Sequence, residues 1–471
     1  MAAADPRAGD PKATLRASGS GQRALGYLEA FNSGDTVKMA DFFDANLSAD
    51  GKARRPIAER LGRFRRMHAE IARMDLKQVE RVSDTLVVLY VTDPRDQWLQ
   101  LDFVFEQSTP HYLAGIGIEL LEEPPSAVDR RPLTKAQAIA QINHLIDSLA
   151  ALDRFSGSVI VDLDGEEVVR KAVGFADIGL KVPNQADTKY NLGSINKIFT
   201  KTAIAQLLQS EKIRLDAPIG QYLIDYPNKD AATKVRVKHL LEMTGGIGDF
   251  FGEAFDKAPK DSFRDNGSFI ALFANLPLEF EPGSDRRYSN GGYILLGAII
   301  EAVTGQTYYQ YVHDNICVPA GMTNTGSYEA DAIVPNLAQG YTTMNDGGEE
   351  TGQRRSNIYS RPARGSAAGG GYSTAEDMLK FVRALRNGKL LNGRHTAFMF
   401  TQELPESEPA DLASAIKQGG LGIAGGAPGI NAAVEANNGR DYVIAVLGNY
   451  DPPSAENLAR KIRLLVDRVA P

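Results

Sequence analysis

The sequence predicts an α+β protein of two domains, a small one that runs helices first and strands after, and a larger one built on a single antiparallel sheet. Three observations carry this. The chain has 471 residues, more than one ordinary domain holds. Residues 21–121 show three helical patterns followed by four strand-like runs. Beyond residue 135, strand-like runs stand at both ends of the remaining chain, with a long helical, glycine-rich stretch between them. The sheet is therefore expected to be assembled from both termini of this domain, with the helices as an insertion packed against it.

Taken in order, residues 1–20 read as a disordered lead. The helical patterns are "GQRALGYLEAFNSG", "DTVKMADFFDANLS" and a longer one over 56–72. The strand-like runs are "DLKQVERV", "TLVVLYVT", "QWLQLDFVFEQ" and "HYLAGIGIELL", and Trp98 with its aromatic neighbours is expected to fill the core of this domain. Residues 122–135, within "LEEPPSAVDRRPLTK", are charged and proline-rich and read as a linker. The second domain, 136–471, opens with the helix "KAQAIAQINHLIDSLAAL". Two strands follow, "GSVIVDLDG" and "EEVVRKAVGFAD", joined at Asp164-Gly165, a strong hairpin dipeptide. From about 190 to 400 the chain reads as helices with glycine-rich loops. It closes with strands around "GLGIAG", "GINAAVEAN" and "DYVIAVLGNY", then the helix "SAENLARKIRLLVDRV".

Composition excludes several functions. With 43% hydrophobic and 24% charged residues, the chain is that of a globular protein. A net charge of -7 argues against a general nucleic-acid binder. The one basic stretch, residues 51–77, sets its arginines among apolar residues at helical spacing and reads as a solvated helix face. A single cysteine, Cys317, permits no intramolecular disulfide. None of the six histidines stands in HExxH or another ligand spacing, so neither a metal nor a cofactor is expected. No apolar run reaches membrane-spanning length. The N-terminus lacks a hydrophobic signal core, as in cytoplasmic proteins and in periplasmic or secreted proteins whose signal has been removed.

The chemistry concentrates in "NLGSINKIFTKTAIAQLLQ", residues 191–209. A glycine delivers Ser194 to the start of an apolar helix, and Lys197 three positions on shares its face. A serine hydroxyl is a poor nucleophile until a neighbour takes its proton, and a lysine can do so only if its pKa falls to near neutrality. That requires a bias of roughly 4–5 kcal/mol against the ammonium, which burial supplies. The alternative is a helix-capping serine beside an exposed lysine. A second Ser-x-x-Lys, Ser414–Lys417, opens only a short stretch ending at Gly419-Gly420 and reads as structural. In "EPGSDRRYSNGGYILLGAIIEAVTG", Tyr288 and Asn290 precede another apolar helix, where a tyrosine can relay a proton and an asparagine can orient the lysine or a substrate carbonyl. Tyr226-Pro227-Asn228 repeats that spacing in a turn and reads as structural, as does "GSAAGGGYS", a close-packed turn bordering the cleft.

These segments, with "LDAPIGQYL", "HLLEMTGGI", "PAGMTNTG" and "GGGYSTAEDMLKFVRAL" in the same order, make residues from about 154 to 471 resemble the serine β-lactamase and penicillin-binding-protein-like superfamily, especially its class C-like branch of esterases and D-amino-acid peptidases. The resemblance implies Ser194 as the acylated nucleophile, Lys197 as its proton partner, Tyr288 as base and later acid, and Asn290 as a positioning group. The family's third element, Lys-Thr/Ser-Gly or His-x-Gly, is missing, and Ile423-Ala424-Gly425 stands in its place. Gly425 lets a backbone approach the substrate, and the N–H groups of Gly426 and Ser194 would form an oxyanion hole. Losing the polar side chain weakens the case for carboxylate-bearing substrates unless Arg286, Arg287, Arg364 or Lys417 compensates. The expected function is a serine hydrolase acting on small-molecule esters or non-standard amides. The alternatives are an acyltransferase using the same site, or a non-catalytic ligand-binding or sensor module. The helix-then-strand order of the first domain, headed by "YLEAFNSGDTVKMADFF", resembles the cone of nuclear transport factor-like (SnoaL-like) domains. That resemblance implies a ligand pocket or an accessory role, such as forming a homo-oligomer.

Overall fold

The computed structural model describes residues 10–48, 51–52, 57–106, 109–121, 132–345, 350–437 and 439–470. The chain divides into two units, residues 1–130 and 131–471, with separate cores.

In the first unit, helices α1 (Pro11–Arg16), α2 (Gly19–Asn32), α3 (Thr36–Asn46) and α4 (Ile57–Ile71) precede the strands β1 (Asp75–Val82), β2 (Leu86–Thr92), β3 (Trp98–Phe105) and β4 (Leu113–Leu121). The strands pair antiparallel in sequence order. Residues 11–16 and 19–20 are helical rather than a disordered lead, because Leu15 is buried with Phe31, Met39 and Phe103 and so anchors α1; residues 1–9 lie outside the described residues. Trp98 also departs from expectation. It starts β3 only half-buried, and Leu99, Leu101, Phe103 and Phe105 fill the core. Helix α4 has the expected two faces, with Phe64 buried between exposed Arg63 and Arg65. Of the expected linker, residues 122–131 lie outside the described residues, and its last residue, Lys135, already starts a helix.

The second unit is a five-stranded antiparallel sheet between helical layers. Its strands are β5 (Gly157–Leu163), β6 (Glu166–Val173), β7 (Gly420–Ala427), β8 (Ile430–Asn437) and β9 (Tyr442–Gly448), in the order β7-β8-β9-β5-β6. The sheet is thus drawn from both ends of the domain. Asp164 and Gly165 both take positive φ, 55° and 82°, the backbone a two-residue hairpin needs. Every residue of β5 and β9 is buried, as two-sided covering requires. Helix α5 (Lys135–Ala151) and the C-terminal helix (Ser454–Val466) cover one face through Ile142, Ile146, Leu458 and Ile462. The insertion covers the other, where helix α6 (Lys197–Gln209) sends Phe199 edge-on to Phe381 at 5.1 Å. One hairpin inside the insertion, Tyr341–Met344 with Glu350–Ser356, runs against the helical expectation for that stretch.

Candidate active site

Edge strand β7 runs past the turn that carries Ser194. Leu192 and Ile195 are fully buried and anchor that turn in the core. The Leu192 N–H donates to the Gly371 carbonyl at 2.8 Å, and the Gly193 N–H to Asn191 Oδ1 at 2.9 Å. Gly193 has φ +49°, and a Cβ there would sit 2.9 Å from the Gly426 nitrogen. Both conformation and space therefore demand glycine. Gly425 is needed for space alone, since its Cβ would lie 2.0 Å from the Leu192 carbonyl oxygen. Ser194 itself lies in a 3₁₀ turn, Gly193–Asn196, ahead of α6 rather than in its first α turn. Three residues per turn align positions i and i+3 more closely than an α-helix does, so Ser194 and Lys197 eclipse.

Lys197 is 4% exposed, and its three donors are all used. They go to Ser194 Oγ at 3.2 Å, Asn290 Oδ1 at 2.8 Å and the Ala368 carbonyl at 2.6 Å. None of these carries a charge. Burial therefore lowers the Lys197 pKa to about 7, opposed in part by the Asp249 carboxylate. The Tyr288 hydroxyl is 2.6 Å from Ser194 Oγ. Burial holds its pKa above the ordinary phenol value, against the Ser194 hydrogen bond and with help from Asp249. Ser289 caps helix α7 (Asn290–Thr304) by accepting from the Gly292 N–H, and that cap sets Tyr288 and Asn290 toward the cleft. A neutral amine beside a serine hydroxyl can take its proton, and a protonated phenol on the same oxygen can donate one.

The structure thus brings together Ser194, Lys197, Tyr288 and Asn290, and sets Gly425 and Gly426 against the same turn. The segment 365–371 borders it, with Gly370 donating to the Gly193 carbonyl at 3.2 Å. The repeated motifs are structural. Asn228 caps the helix Lys229–Lys234 beside buried Tyr226, and Ser414 lies on the short helix Leu412–Gln418, where its N–H donates to Asp411. The cations raised as substitutes are engaged or displaced: Arg287 pairs with Glu279 at 2.9 Å, Arg286 donates to the Glu242 carbonyl, and Arg364 stacks on Tyr309 and donates to the Ser327 carbonyl. Lys417 is exposed on the helix Leu412–Gln418. Asp249 was missed in the sequence; it holds Asn290, and only its place just after "HLLEMTGGI" pointed to it. A cavity of about 670 Å³ lies elsewhere, between β7 and the C-terminal helix; Ile423 and Ala424 line it, and Ser194, Lys197, Tyr288, Asn290, Gly425 and Gly426 do not.

The Beta-lactamase family profile matches residues 142–467. The chain belongs to that family. Similar proteins include the putative penicillin-binding protein PbpX of Bacillus subtilis, 32% identical over 249 residues that cover 52% of this chain and 59% of that one. Esterase EstB of Burkholderia gladioli is 28% identical over 281 residues, covering 54% of this chain and 71% of the esterase. The crystal structure of a penicillin binding protein from Bacillus halodurans superimposes with a TM-score of 0.59 at 28% identity, covering 69% of this chain and 98% of that one. The chain spans less than two thirds of the length of PbpX.

Proposed function

We propose that the second unit is a serine hydrolase that works through an acyl-enzyme on Ser194. The observation that carries this is Lys197, buried, without an ion pair among the described residues, 3.2 Å from Ser194 Oγ and brought by burial to a pKa of about 7. At neutral pH a large fraction is the free amine and can accept the serine proton. The Oγ–acyl bond forms as the bond to the leaving group breaks. Tyr288, protonated at neutral pH as any phenol is, donates to the departing oxygen or nitrogen and is reprotonated from Lys197. This moves the base role that the family resemblance gave Tyr288 onto Lys197. The N–H groups of Ser194 and Gly426 serve as oxyanion donors, each worth about a hundredfold to a thousandfold in rate. Water then deacylates the enzyme.

Neutral esters and amides fit the cleft best. Ile423, half-buried against the core, occupies the place of the family's cation, and Arg287 and Arg364 are held by Glu279 and Tyr309. The esterase among the relatives supports this reading. The same Ile423 favours a second reading, a binding module that is acylated without turnover. For the first unit we infer a nuclear transport factor-like module, supported by its helix-then-sheet order.

The test is hydrolysis of a short-chain p-nitrophenyl ester beside a chromogenic cephalosporin, with wild type and Ser194→Ala. The expected result is ester turnover that falls at least about a thousandfold in the variant, with kcat/KM rising through an apparent pKa near 7. Equal turnover by both proteins overturns the reading. A stable adduct on Ser194 without turnover moves the assignment to the binding module.

A further inference from the structure

The loop before residue 252 brings a carboxylate to the start of α7. Asp249 Oδ2 accepts from the Asn290 side-chain amide at 2.8 Å and from the Asn290 backbone N–H at 3.3 Å. Its Oδ1 accepts from the Phe251 N–H at 3.2 Å, so both oxygens are engaged. The loop is tied to the same helix start a second time, where Ser289 Oγ donates to the Ile247 carbonyl at 2.9 Å. A carboxylate only accepts, so it selects the Nδ2 end of the Asn290 amide. The amide oxygen is thereby turned to Lys197 Nζ at 2.8 Å.

We propose that Asp249 is a positioning residue of this site: it orients the Asn290 amide so that its oxygen holds Lys197 beside Ser194, and its negative charge favours the protonated lysine. The proposal rests on the reading of Ser194 as nucleophile and Lys197 as its base. Around Lys197, the 3₁₀ turn before α6 supplies Ser194, α7 supplies Asn290 and Tyr293, the segment before α7 supplies Tyr288, and 365–371 supplies the Ala368 carbonyl. The Tyr288 and Tyr293 rings lie 4.8 and 5.6 Å from Nζ. Arg286 acts on Tyr293, and Lys201, one turn along α6, faces Phe398 and Gln402. The charged group acting on Lys197 from these surroundings is Asp249, and it opposes burial. Burial alone would make the lysine a weaker base that is free at lower pH; Asp249 restores basicity and moves the working range upward. Tyr288 feels the same charge, which keeps its proton on.

The test is the pH dependence of Ser194 labelling by a fluorophosphonate, which needs no natural substrate. The Oγ–P bond forms, the P–F bond breaks, fluoride leaves and the serine proton passes to Lys197. In Asp249→Asn the amide can keep its oxygen on Asn290, giving up the acceptor for the Phe251 N–H and the charge. The acid limb of the labelling rate should then move about one pH unit lower. Asp249→Ala also frees the Asn290 amide, and its optimum rate should fall about tenfold or more. A purely structural role would lower the melting temperature without moving the acid limb. Serine-dependent labelling with the wild-type acid limb in Asp249→Asn overturns the proposal, even if Asp249→Ala does not fold. Labelling that persists in Ser194→Ala overturns the reading of the site itself, and this proposal with it.

Discussion

Lys197 is the residue on which the fold and the chemistry oppose each other. Its pKa near 7, against an ordinary value of 10.5, means that burial disfavours the ammonium. Below pH 7 folded and unfolded chains both hold that proton, and the fold bears a penalty of about 5 kcal/mol. Between pH 7 and about 10 the folded chain has released the proton and the unfolded chain has not, so stability rises with pH across that window. Lys197→Met has no such term. Its stability relative to wild type should therefore be highest near pH 6 and fall by several kcal/mol toward pH 9.5, as read by urea unfolding at both pH values. Ile423 poses the complementary question. Ile423→Lys returns a cation to the strand beside Ser194, and cephalosporin turnover relative to ester turnover should rise at least about tenfold. An unchanged ratio would show that carboxylate recognition needs more than this position.

At the scale of elements, the site depends on how closely β7 passes the turn at 193–196. Gly425 and Gly422 lie on the same strand and differ in surroundings. A Cβ at 425 meets the Leu192 carbonyl and the Ser194 nitrogen, whereas nothing lies within 4 Å of one at 422. Gly425→Ala should push strand and turn apart, lowering ester turnover about a hundredfold and stability by about 1–3 kcal/mol. Gly422→Ala should leave turnover unchanged. Turnover measured beside thermal melting separates the two effects. The elements themselves were legible because local pattern encodes them. Residues 98–105 alternate, Asp164-Gly165 specifies its turn, and a continuous apolar run marks the buried strand β9. The 3₁₀ turn at Ser194 was not legible, because it follows from Gly193 being pressed against β7, more than two hundred residues away.

For the whole molecule, the core of the first unit shares no residue with the two clusters of the second. A chain beginning at Arg131 should therefore fold and keep serine-dependent ester turnover within about threefold of the full chain. Sedimentation of both forms tests the first unit: loss of an oligomer on truncation assigns assembly to it, and an unchanged state assigns it another role. Among the described residues, no helix is long and apolar enough to cross a membrane.

The sequence by itself determined most of the elements, the sheet drawn from both termini and the four polar residues that meet at the cleft, because periodicity, turn dipeptides and short motif spacings are local properties of a chain. Tertiary structure decided the rest. It put Ser194 in a 3₁₀ turn, engaged Arg287 and Arg364 elsewhere and recruited Asp249. It also lowered the Lys197 pKa, which no motif states. Desolvation and hydrogen bonding depend on which groups crowd a side chain, and Lys197 meets Ala368 across 171 positions of sequence.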